Sequence, residues 1–493
     1  MGALDSGCFE VDLEDGVGWE EEEKENEATD QAASEIEPDA DADSMRSIEE
    51  AVKVLLQGLG EDHQREGLRR TPQRVAKAFR GGTRVNSLRP FNTSIGYKQN
   101  VKDSVQDALF PESGLNLGIG HGGGAGGLVV VRDINLFSYC ESCLLPFSIK
   151  CHVGYIPSGG RVVGLSKLSR AADVFARRLQ EPKRLASEIC AALHSSIKPA
   201  GVAVALQCRH MKLPEDHSSD IDSTHSTISV SSRSGDFKEE KSSLWDDFSF
   251  LLRLRGVVIE REDTDNSHVY PWCPLRSQEL PQSNGHCVRN TKNGKVSSRT
   301  AVSQSQASMV TAVSSILRSL GADPLRKELA GTPCRYVQWL LNFKSSNRDF
   351  DCGAKEGNVD GTSEMQTALN IPFFSLCEHH LLPFHGVVHI GYLIERGTTP
   401  IDQSALRSMV HFFSRKLQVQ ERLTRQIVEA VHSNFNGGAM VVVEARHNCM
   451  ISRGIEKVGS NTATMAVLGR FSSDSKVKAL FLQTIASNAS SAV

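Results

Sequence analysis

Hydrophobic residues recur at every fourth position in two separated stretches of the chain. Such spacing places apolar side chains on one side of a helix, so it predicts two helices with buried faces. The two faces comprise Leu185, Ile189, Leu193 and Ile197, and then Leu423, Ile427, Val431 and Phe435. Apolar runs at residues 202–206 and 440–443 follow these helices and predict buried strands. The same succession of helix and strand therefore occurs twice.

The two halves of the chain also share short motifs that contain cysteine and histidine. Residues 140–147 read CESCLLPF, and residues 377–384 read CEHHLLPF. The same offset aligns His210 with His447, and a Thr-Pro-x-Arg motif begins at both Thr71 and Thr332. The sequence therefore predicts two copies of one domain.

The division of the chain follows from this repeat. We expect a disordered acidic tail at residues 1–44, a first copy at 45–256, a linker rich in Ser, Asn, Gln and Pro at 257–303, and a second copy at 304–493. Each copy opens with helices, continues with strands around the Cys-Glu motif, and adds two helices and further strands. That order predicts an α+β fold with antiparallel pairing. Residues 214–233 interrupt the strand pattern of the first copy without an evident function.

Charge is distributed unevenly along the chain. The net charge is -4, but the first 50 residues hold 19 acidic side chains against only Lys24 and Arg46. A segment this acidic is typically disordered, and the remaining chain is positive and suited to anionic ligands. Its Lys and Arg residues are scattered without interleaved aromatic residues, which favours a small anion over a nucleic acid.

Location is indicated by what the sequence lacks. No uninterrupted apolar stretch approaches the roughly 20 residues of a membrane-spanning helix. The acidic N-terminus resembles neither a secretory signal nor a transit peptide, so we expect a cytoplasmic protein without a membrane partner. In that reducing compartment the twelve cysteines are expected to be thiols and metal ligands rather than disulfides.

Cys377 and His380 are separated by two residues, so one tight turn can present both side chains to a metal ion. A third ligand is needed, and His447 and Cys449 stand two apart at the end of a predicted strand, where their side chains share a face. Three protein ligands with a fourth position for water are typical of catalytic zinc. His379 and His447 are then candidates for proton transfer beside the metal.

These residues resemble a known family. The segments 375–380 (SLCEHH), 417–424 (LQVQERLT) and 444–449 (EARHNC), with Arg453-Gly454, resemble GTP cyclohydrolase I in its tandem two-domain plant form. The resemblance implies a zinc-dependent hydrolase that converts GTP to 7,8-dihydroneopterin triphosphate and formate, the first step of pterin and tetrahydrofolate biosynthesis. It also implies two tunnelling-fold (T-fold) domains and self-association into a homodimer or larger ring.

The resemblance also implies roles for individual residues. Zinc would be held by Cys377, His380 and Cys449, and a zinc-activated water would attack C8 of the guanine. The other implied roles are proton transfer by His379 and His447 and contacts to the guanine edge by Gln420 and Glu421. A carboxylate suits that edge because it accepts hydrogen bonds from N1-H and the exocyclic amine.

Each copy departs from the family pattern in a different way. The first copy has Ser142, Cys143, Pro182, Lys183 and Lys212 in place of the catalytic His, the ligand His, the Gln-Glu pair and the ligand Cys. Only Cys140 and Cys143 remain there as potential ligands, so we expect an inert remnant of the zinc site. The second copy has lost most of the cations that grip the triphosphate in the family, and it retains Arg335, Ser404 and Arg453.

The losses are complementary. The first copy keeps the family's triphosphate-binding positions, which are Arg74, Lys77, Ser166, Lys167 and Arg170. A triphosphate of charge about -4 needs several cations in a partly desolvated pocket. In the family the active site lies where subunits meet, so the hypothesis is a composite site across the domain boundary, within one chain or between chains. The alternatives are a nucleotide-binding regulatory pseudoenzyme and another tunnelling-fold enzyme acting on a related purine or pterin.

Overall fold

The computed structural model describes residues 38–83, 109–111, 127–159, 161–211, 225–239, 243–259, 272–276, 304–344, 363–395, 399–434, 437–452 and 461–490. Each copy forms a five-stranded sheet with helices packed against it, which agrees with the predicted α+β class. In the described part of the chain, no helix combines the length and apolar character needed to cross a bilayer.

The first copy begins with three helices and continues with a sheet. Its elements are α1 Pro38–Gly58, α2 Glu66–Arg69, α3 Thr71–Thr83, β1 Leu109–Pro111, β2 Val129–Cys140, β3 Pro146–Ile156, β4 Arg161–Val163, α4 Leu165–Ala176, β5 Leu179–Gln180, α5 Pro182–Ile197, β6 Gly201–Met211, β7 His225–Gly235 and α6 Leu244–Arg253. The main sheet has the order β5-β2-β3-β6-β7, and β1 pairs separately with β4. Helix α1 begins before residue 45, inside the segment predicted as a tail.

The second copy repeats this plan. Its elements are α7 Gln304–Ser319, α8 Thr332–Leu341, β8 Ser363–Cys377, β9 Leu382–Glu395, α9 Gln403–Ser414, β10 Leu417–Gln418, α10 Gln420–His432, β11 Gly438–His447, α11 Asn448–Ile451, β12 Thr462–Gly469, α12 Arg470–Ser473 and α13 Ser475–Ser490. The sheet order β10-β8-β9-β11-β12 matches that of the first copy strand for strand.

Pairing within the two sheets differs in part from the expectation. The long strands are antiparallel, but β5 and β10 run parallel to β2 and β8, so both sheets are mixed. Helix α4 returns the chain from the end of β3 to the end of β2, and the two residues that follow therefore join β2 in the same direction. Strand β7 pairs with β6 along its whole length, so the part of segment 214–233 from His225 onward completes the sheet rather than interrupting it. Residues 212–224 lie outside the described residues.

Helices α5 and α10 show why the apolar spacing predicts them correctly. Glu181 accepts a hydrogen bond from the backbone N of Arg184 at 3.1 Å, and Pro182 occupies the first turn of α5, so the helix begins there. The predicted faces are buried at Leu185, Ile189 and Leu193 in the first copy and at Leu423, Ile427 and Val431 in the second, while Ile197 is half-buried. Phe435 lies outside the described residues.

The two copies share one hydrophobic core. Helices α1 and α7 pack together, with Ser44 donating to the carbonyl of Ser319 at 2.7 Å. Residues 272–276 belong to the segment predicted as a linker, yet Trp272, Cys273 and Leu275 are buried in this core. The composition of 257–303 is typical of a linker, but its short apolar stretch packs like a structural element.

Candidate metal centre and active site

The turn between β8 and β9 positions the first two predicted ligands. The backbone N of Leu381 donates to the carbonyl of Cys377 at 2.9 Å, and Leu381 adopts a φ of +50°. Leu144 adopts a φ of +59° at the corresponding turn of the first copy. A bulky residue rarely adopts this left-handed conformation, which costs backbone strain and is held by the surrounding packing. The turn brings the side chains of Cys377 and His380 into one cluster.

Cys449 completes that cluster. The ligand atoms of Cys377, His380 and Cys449 all lie within 4.8 Å of one another. The expectation that His447 and Cys449 share a strand face is wrong, because β11 ends at His447 and Cys449 lies in the short helix α11. The change from strand to helix at this point turns Cys449 toward the same cluster.

The surroundings of Cys377 favour its thiolate. Hydrogen bonds with Cys449, and then with His380 and His447, hold the pKa of Cys377 well below its usual range despite burial. A thiolate is the form that binds metal. Two thiolates and one imidazole suit zinc, and three protein ligands leave a fourth position for water or substrate. The residues therefore fit the zinc ion that the sequence predicts.

Gln420 fixes the orientation of His447. The Nε2 atom of His447 lies 2.8 Å from Oε1 of Gln420, and its ring stacks on Phe384 with centroids 4.6 Å apart. The amide group of Gln420 donates to the carbonyls of Val443 at 3.0 Å and Thr462 at 2.8 Å, so its oxygen must accept from Nε2-H of His447. This buried side chain is thus fully hydrogen-bonded within the protein, whereas neighbouring Glu421 is exposed.

The Thr-Pro helix of the first copy reaches the second copy's turn. Thr71 at the start of α3 donates from Oγ1 to the carbonyl of Glu378 at 2.7 Å. Arg74, one turn further along α3, lies close enough to His379 that its charge adds to the effect of burial in lowering the pKa of that histidine. Lys77 follows after three more residues and is exposed. Two predicted triphosphate-binding positions thus stand on a helix docked beside the metal-ligand cluster of the same chain.

The reverse contact is made by the second copy. Thr332 at the start of α8 donates to the carbonyl of Glu141, and Arg335 donates from Nε to the carbonyl of Ser142 at 2.7 Å. Arg335 therefore lies at the first copy's turn. It is one of the few triphosphate-binding positions of the family that the second copy retains. Each copy places its Thr-Pro helix on the other copy's Cys-Glu turn.

The glutamate of each Cys-Glu motif forms ion pairs with arginines of both copies. The sequence did not suggest this role. Buried Glu378 accepts from Arg65 of the first copy at 2.9 Å and from Arg422 of the second at 2.6 Å. Buried Glu141 accepts from Arg184 of the first copy at 2.6 Å and from Arg326 of the second at 2.9 Å. Both carboxylates therefore join the two copies through paired arginines.

Both copies match the same family of known proteins. The sequence profile of GTP cyclohydrolase I matches residues 48–248 and again residues 309–486. The chain belongs to the GTP cyclohydrolase I family. It is 49% identical to GTP cyclohydrolase 1 of Solanum lycopersicum over 98% of both chains. It is also 49% identical to that of Arabidopsis thaliana, over 98% of this chain and 97% of the relative.

Another relative matches only about a third of this chain. GTP cyclohydrolase 1 of Dictyostelium discoideum is 42% identical over 184 residues, which are 36% of this chain and 78% of the relative. The plant relatives match almost the whole chain, so the predicted tandem two-domain form of the family is confirmed, and with it two tandem T-fold domains.

The remaining predicted triphosphate residues are placed less directly. Ser166 and Arg170 are exposed and Lys167 is half-buried in the first turns of α4, which packs on the first copy's own strand β2. Arg453 lies outside the described residues. The structure brings Arg74 close enough to His379 for its charge to act on that histidine, and triphosphate binding by α3 and α4 stays a prediction.

The first copy contains more potential ligands than the sequence suggested. Cys140, Cys143, His210 and Cys273 are all buried, and their ligand atoms lie within 4.8 Å of one another. The expectation of only two ligands is wrong because residue 273 folds back from the predicted linker and His210 points inward. The signal in the sequence was the apolar Trp-Cys-Pro stretch at 272–274 within an otherwise polar segment.

Proposed function

We propose that this chain is a GTP cyclohydrolase I. It hydrolyses GTP to 7,8-dihydroneopterin triphosphate and formate and so begins pterin and tetrahydrofolate biosynthesis. The observation that carries the proposal is the convergence of Cys377, His380 and Cys449 beside an oriented His447. Full-length similarity to plant members of the family supports it.

Zinc is the metal proposed for this centre. Thiolate and imidazole ligands select zinc over magnesium or manganese, which prefer oxygen ligands. Zinc bound there would act as a Lewis acid and lower the pKa of a water molecule to about 7. The protein's contribution is to hold three ligands in a buried cluster and leave one side accessible through half-buried His379 and His380.

The two histidines have separate parts in proton transfer. Because His447 donates Nε2-H to Gln420, its Nδ1 carries a lone pair that can take up a proton. His379 stands on the same turn as His380, on the side where Arg74 approaches. We assign both to the proton transfers that ring opening and release of formate require.

Guanine recognition rests on Glu421 in this proposal. Gln420 uses both amide hydrogens on backbone carbonyls and its oxygen on His447, so contact with guanine would break hydrogen bonds inside a buried site. Gln420 is therefore a positioning residue, and Glu421 at the exposed start of α10 accepts from N1-H and the exocyclic amine.

The triphosphate is bound by polar and positively charged residues, most of them in the first copy. Arg74 and Lys77 stand on α3, which docks beside the metal-ligand cluster within one molecule, so they form the part of the triphosphate site that needs no second molecule. Ser166, Lys167 and Arg170 on α4, together with Arg453, are the further groups that we propose. Exposure of the α4 residues supports their completing a site by self-association into a homodimer or larger ring. The cytoplasmic location stays a prediction from the acidic N-terminus.

The experiment that tests this function measures formate release and the fluorescent pterin formed from GTP after oxidation. The purified full chain is compared with His447→Ala, which should lose turnover but retain the metal at Cys377. A chain that binds GTP without releasing formate would support the regulatory pseudoenzyme instead. No observation favours that alternative, since the second copy keeps every ligand and both histidines.

A further inference from the structure

We propose that the first copy holds a second metal ion, a structural zinc bound by Cys140, Cys143, His210 and Cys273. The proposal concerns the half that has lost the catalytic pattern, and it does not depend on the reaction assigned to the second copy. It reinterprets the first copy as a metal-stabilised scaffold.

The four ligand atoms form a closed group. They lie within 4.8 Å of one another, and Sγ of Cys143 is 3.2 Å from Nε2 of His210. None of the four side chains reaches solvent, whereas His380 in the second copy's cluster is half-buried. Four protein ligands leave no position for water, and this is the feature that separates structural from catalytic zinc sites.

The tautomer of His210 supports its role as a ligand. Nδ1 of His210 lies 2.7 Å from the carbonyl oxygen of Met211, which can only accept, so Nδ1 carries the hydrogen. Nε2 therefore presents its lone pair toward Cys143. Metal-binding histidines typically donate their other ring N-H to a backbone carbonyl or carboxylate in this way, which fixes the ring and strengthens the ligand.

Cys273 reaches the cluster because residues 272–276 of the segment that connects the copies, here called the connecting segment, pack against the first copy. Trp272 makes edge contacts with Phe147 at 4.7 Å and with His210 at 4.9 Å between ring centroids. The backbone N of Arg276 donates to the carbonyl of Cys273 at 2.9 Å, so a turn holds the thiol in place. The segment that contributes the fourth ligand is thus anchored on the same ring that supplies the third.

The two clusters are related by the internal repeat, but only Cys140 and Cys377 are ligands of the same type at matching positions. Cys140 and Cys143 occupy the positions of Cys377 and His380, and His210 occupies the position of His447. The cysteine that would match Cys449 is replaced by Lys212, and Cys273 enters from elsewhere. The duplicated site has therefore changed from three ligands with an open position to a Cys3His set of the kind found in structural zinc sites.

A metal here would fix the boundary between the copies. The turn that carries Cys140 and Cys143 also carries Glu141 and Ser142, which accept hydrogen bonds from α8 and its approach in the second copy. Binding would tie the connecting segment, this turn and strand β6 to one point. Because metal affinity for such a set is linked to folding, removal of the ion should loosen the docking of α8.

The test measures metal per full-length chain purified under reducing conditions. We expect about two zinc ions in the wild type, and about one each in Cys273→Ala and Cys377→Ala. Cys151→Ala, which removes another buried cysteine outside both clusters, should keep about two ions and serves as the matched control. A single ion in the wild type, or no loss in Cys273→Ala, would overturn the proposal.

A spectroscopic arm remains decisive even if Cys273→Ala fails to fold. Cobalt loaded into Cys377→Ala should give intense tetrahedral bands and the strong charge-transfer absorption of three thiolates. Alkylation of free thiols under denaturing conditions without reductant, followed by peptide mapping, should find Cys140, Cys143 and Cys273 reduced. A disulfide among them, or a Cys377→Ala chain without tetrahedral cobalt, would refute the site, and neither result would bear on GTP hydrolysis by the wild type.

Discussion

The Nε2 atom of His447 donates to Oε1 of Gln420 across 2.8 Å, and the amide of Gln420 is anchored by two backbone carbonyls. The pair ties the end of β11 to the start of α10. One hydrogen-bonded glutamine thus determines which nitrogen of the histidine faces the metal-ligand cluster.

Replacing Gln420 with alanine should therefore impair turnover more than binding. Loss of one hydrogen bond that orients the imidazole costs about 1 to 3 kcal/mol, or roughly a 5- to 150-fold fall in kcat. KM for GTP should change little, because the amide hydrogens and the oxygen of Gln420 are already hydrogen-bonded within the protein. Gln426→Ala on the same helix is the control. A large rise in KM with kcat preserved would show instead that Gln420 binds guanine.

Arg74→Ala should weaken binding of GTP. Arg74 is a cation of the first copy whose charge acts on His379, and a hydrogen bond from a charged group to a phosphate is worth about 1.5 to 3 kcal/mol. We expect KM to rise about 10-fold or more. Arg69→Ala, an exposed arginine on α2, should leave KM unchanged. Equal kinetics for the two variants would remove α3 from the active site.

Glu141→Gln should destabilise the chain more than removal of an exposed ion pair. Glu141 is buried and accepts from Arg184 and Arg326, so the substitution removes the buried carboxylate charge that the two arginines share. We expect a loss of about 2 to 4 kcal/mol, read as a lower thermal midpoint. The control Glu429→Gln removes a carboxylate paired with Arg425 on the surface and should change the midpoint little.

Acidification should destabilise the contact between the two copies at His225 of β7 and His385 of β9. Their ring centroids are 5.0 Å apart. Burial, followed by the charges of Arg446 and Arg209, lowers the pKa of His385 to about 4. Burial, followed by His385 and Arg209, lowers the pKa of His225 to about 3.

The direction in which stability changes with pH follows from proton binding. Below the usual histidine pKa of about 6.5 the unfolded chain takes up protons that the folded chain does not, so stability falls as pH decreases from about 6.5 to about 4. His385→Gln should flatten this dependence by about 2 kcal/mol, measured as thermal midpoints across that range. His63→Gln, which replaces a histidine outside this pair, should leave the slope unaltered. An unchanged slope in His385→Gln would contradict the assignment.

The sequence predicts the repeat, the helical faces and the Cys377–His380 turn because each depends on local spacing. Periodicity places Leu423 and Ile427 in the core without knowledge of their partners. The pairing of the copies was reached only as a hypothesis, since the contacts of Thr71 with Glu378 join residues distant in the chain.

Two features could not be predicted for a physical reason. Cys273 lies in a segment whose composition is typical of a linker, and only tertiary packing of Trp272 brings it to Cys140 and Cys143. The role of Gln420 depends on the directions of three hydrogen bonds, which spacing along a helix does not encode. Residue type identified the candidates, and the geometry is the basis of the roles proposed for them.

The reciprocal docking of α3 and α8 has a consequence for the enzyme at low abundance. When an active site is assembled from separate subunits, dilution separates the parts and activity falls with concentration. Here Arg74 and the metal ligands at Cys377 are covalently joined, so the effective concentration of one half for the other is set by the connecting chain. That part of the active site cannot be lost by dilution.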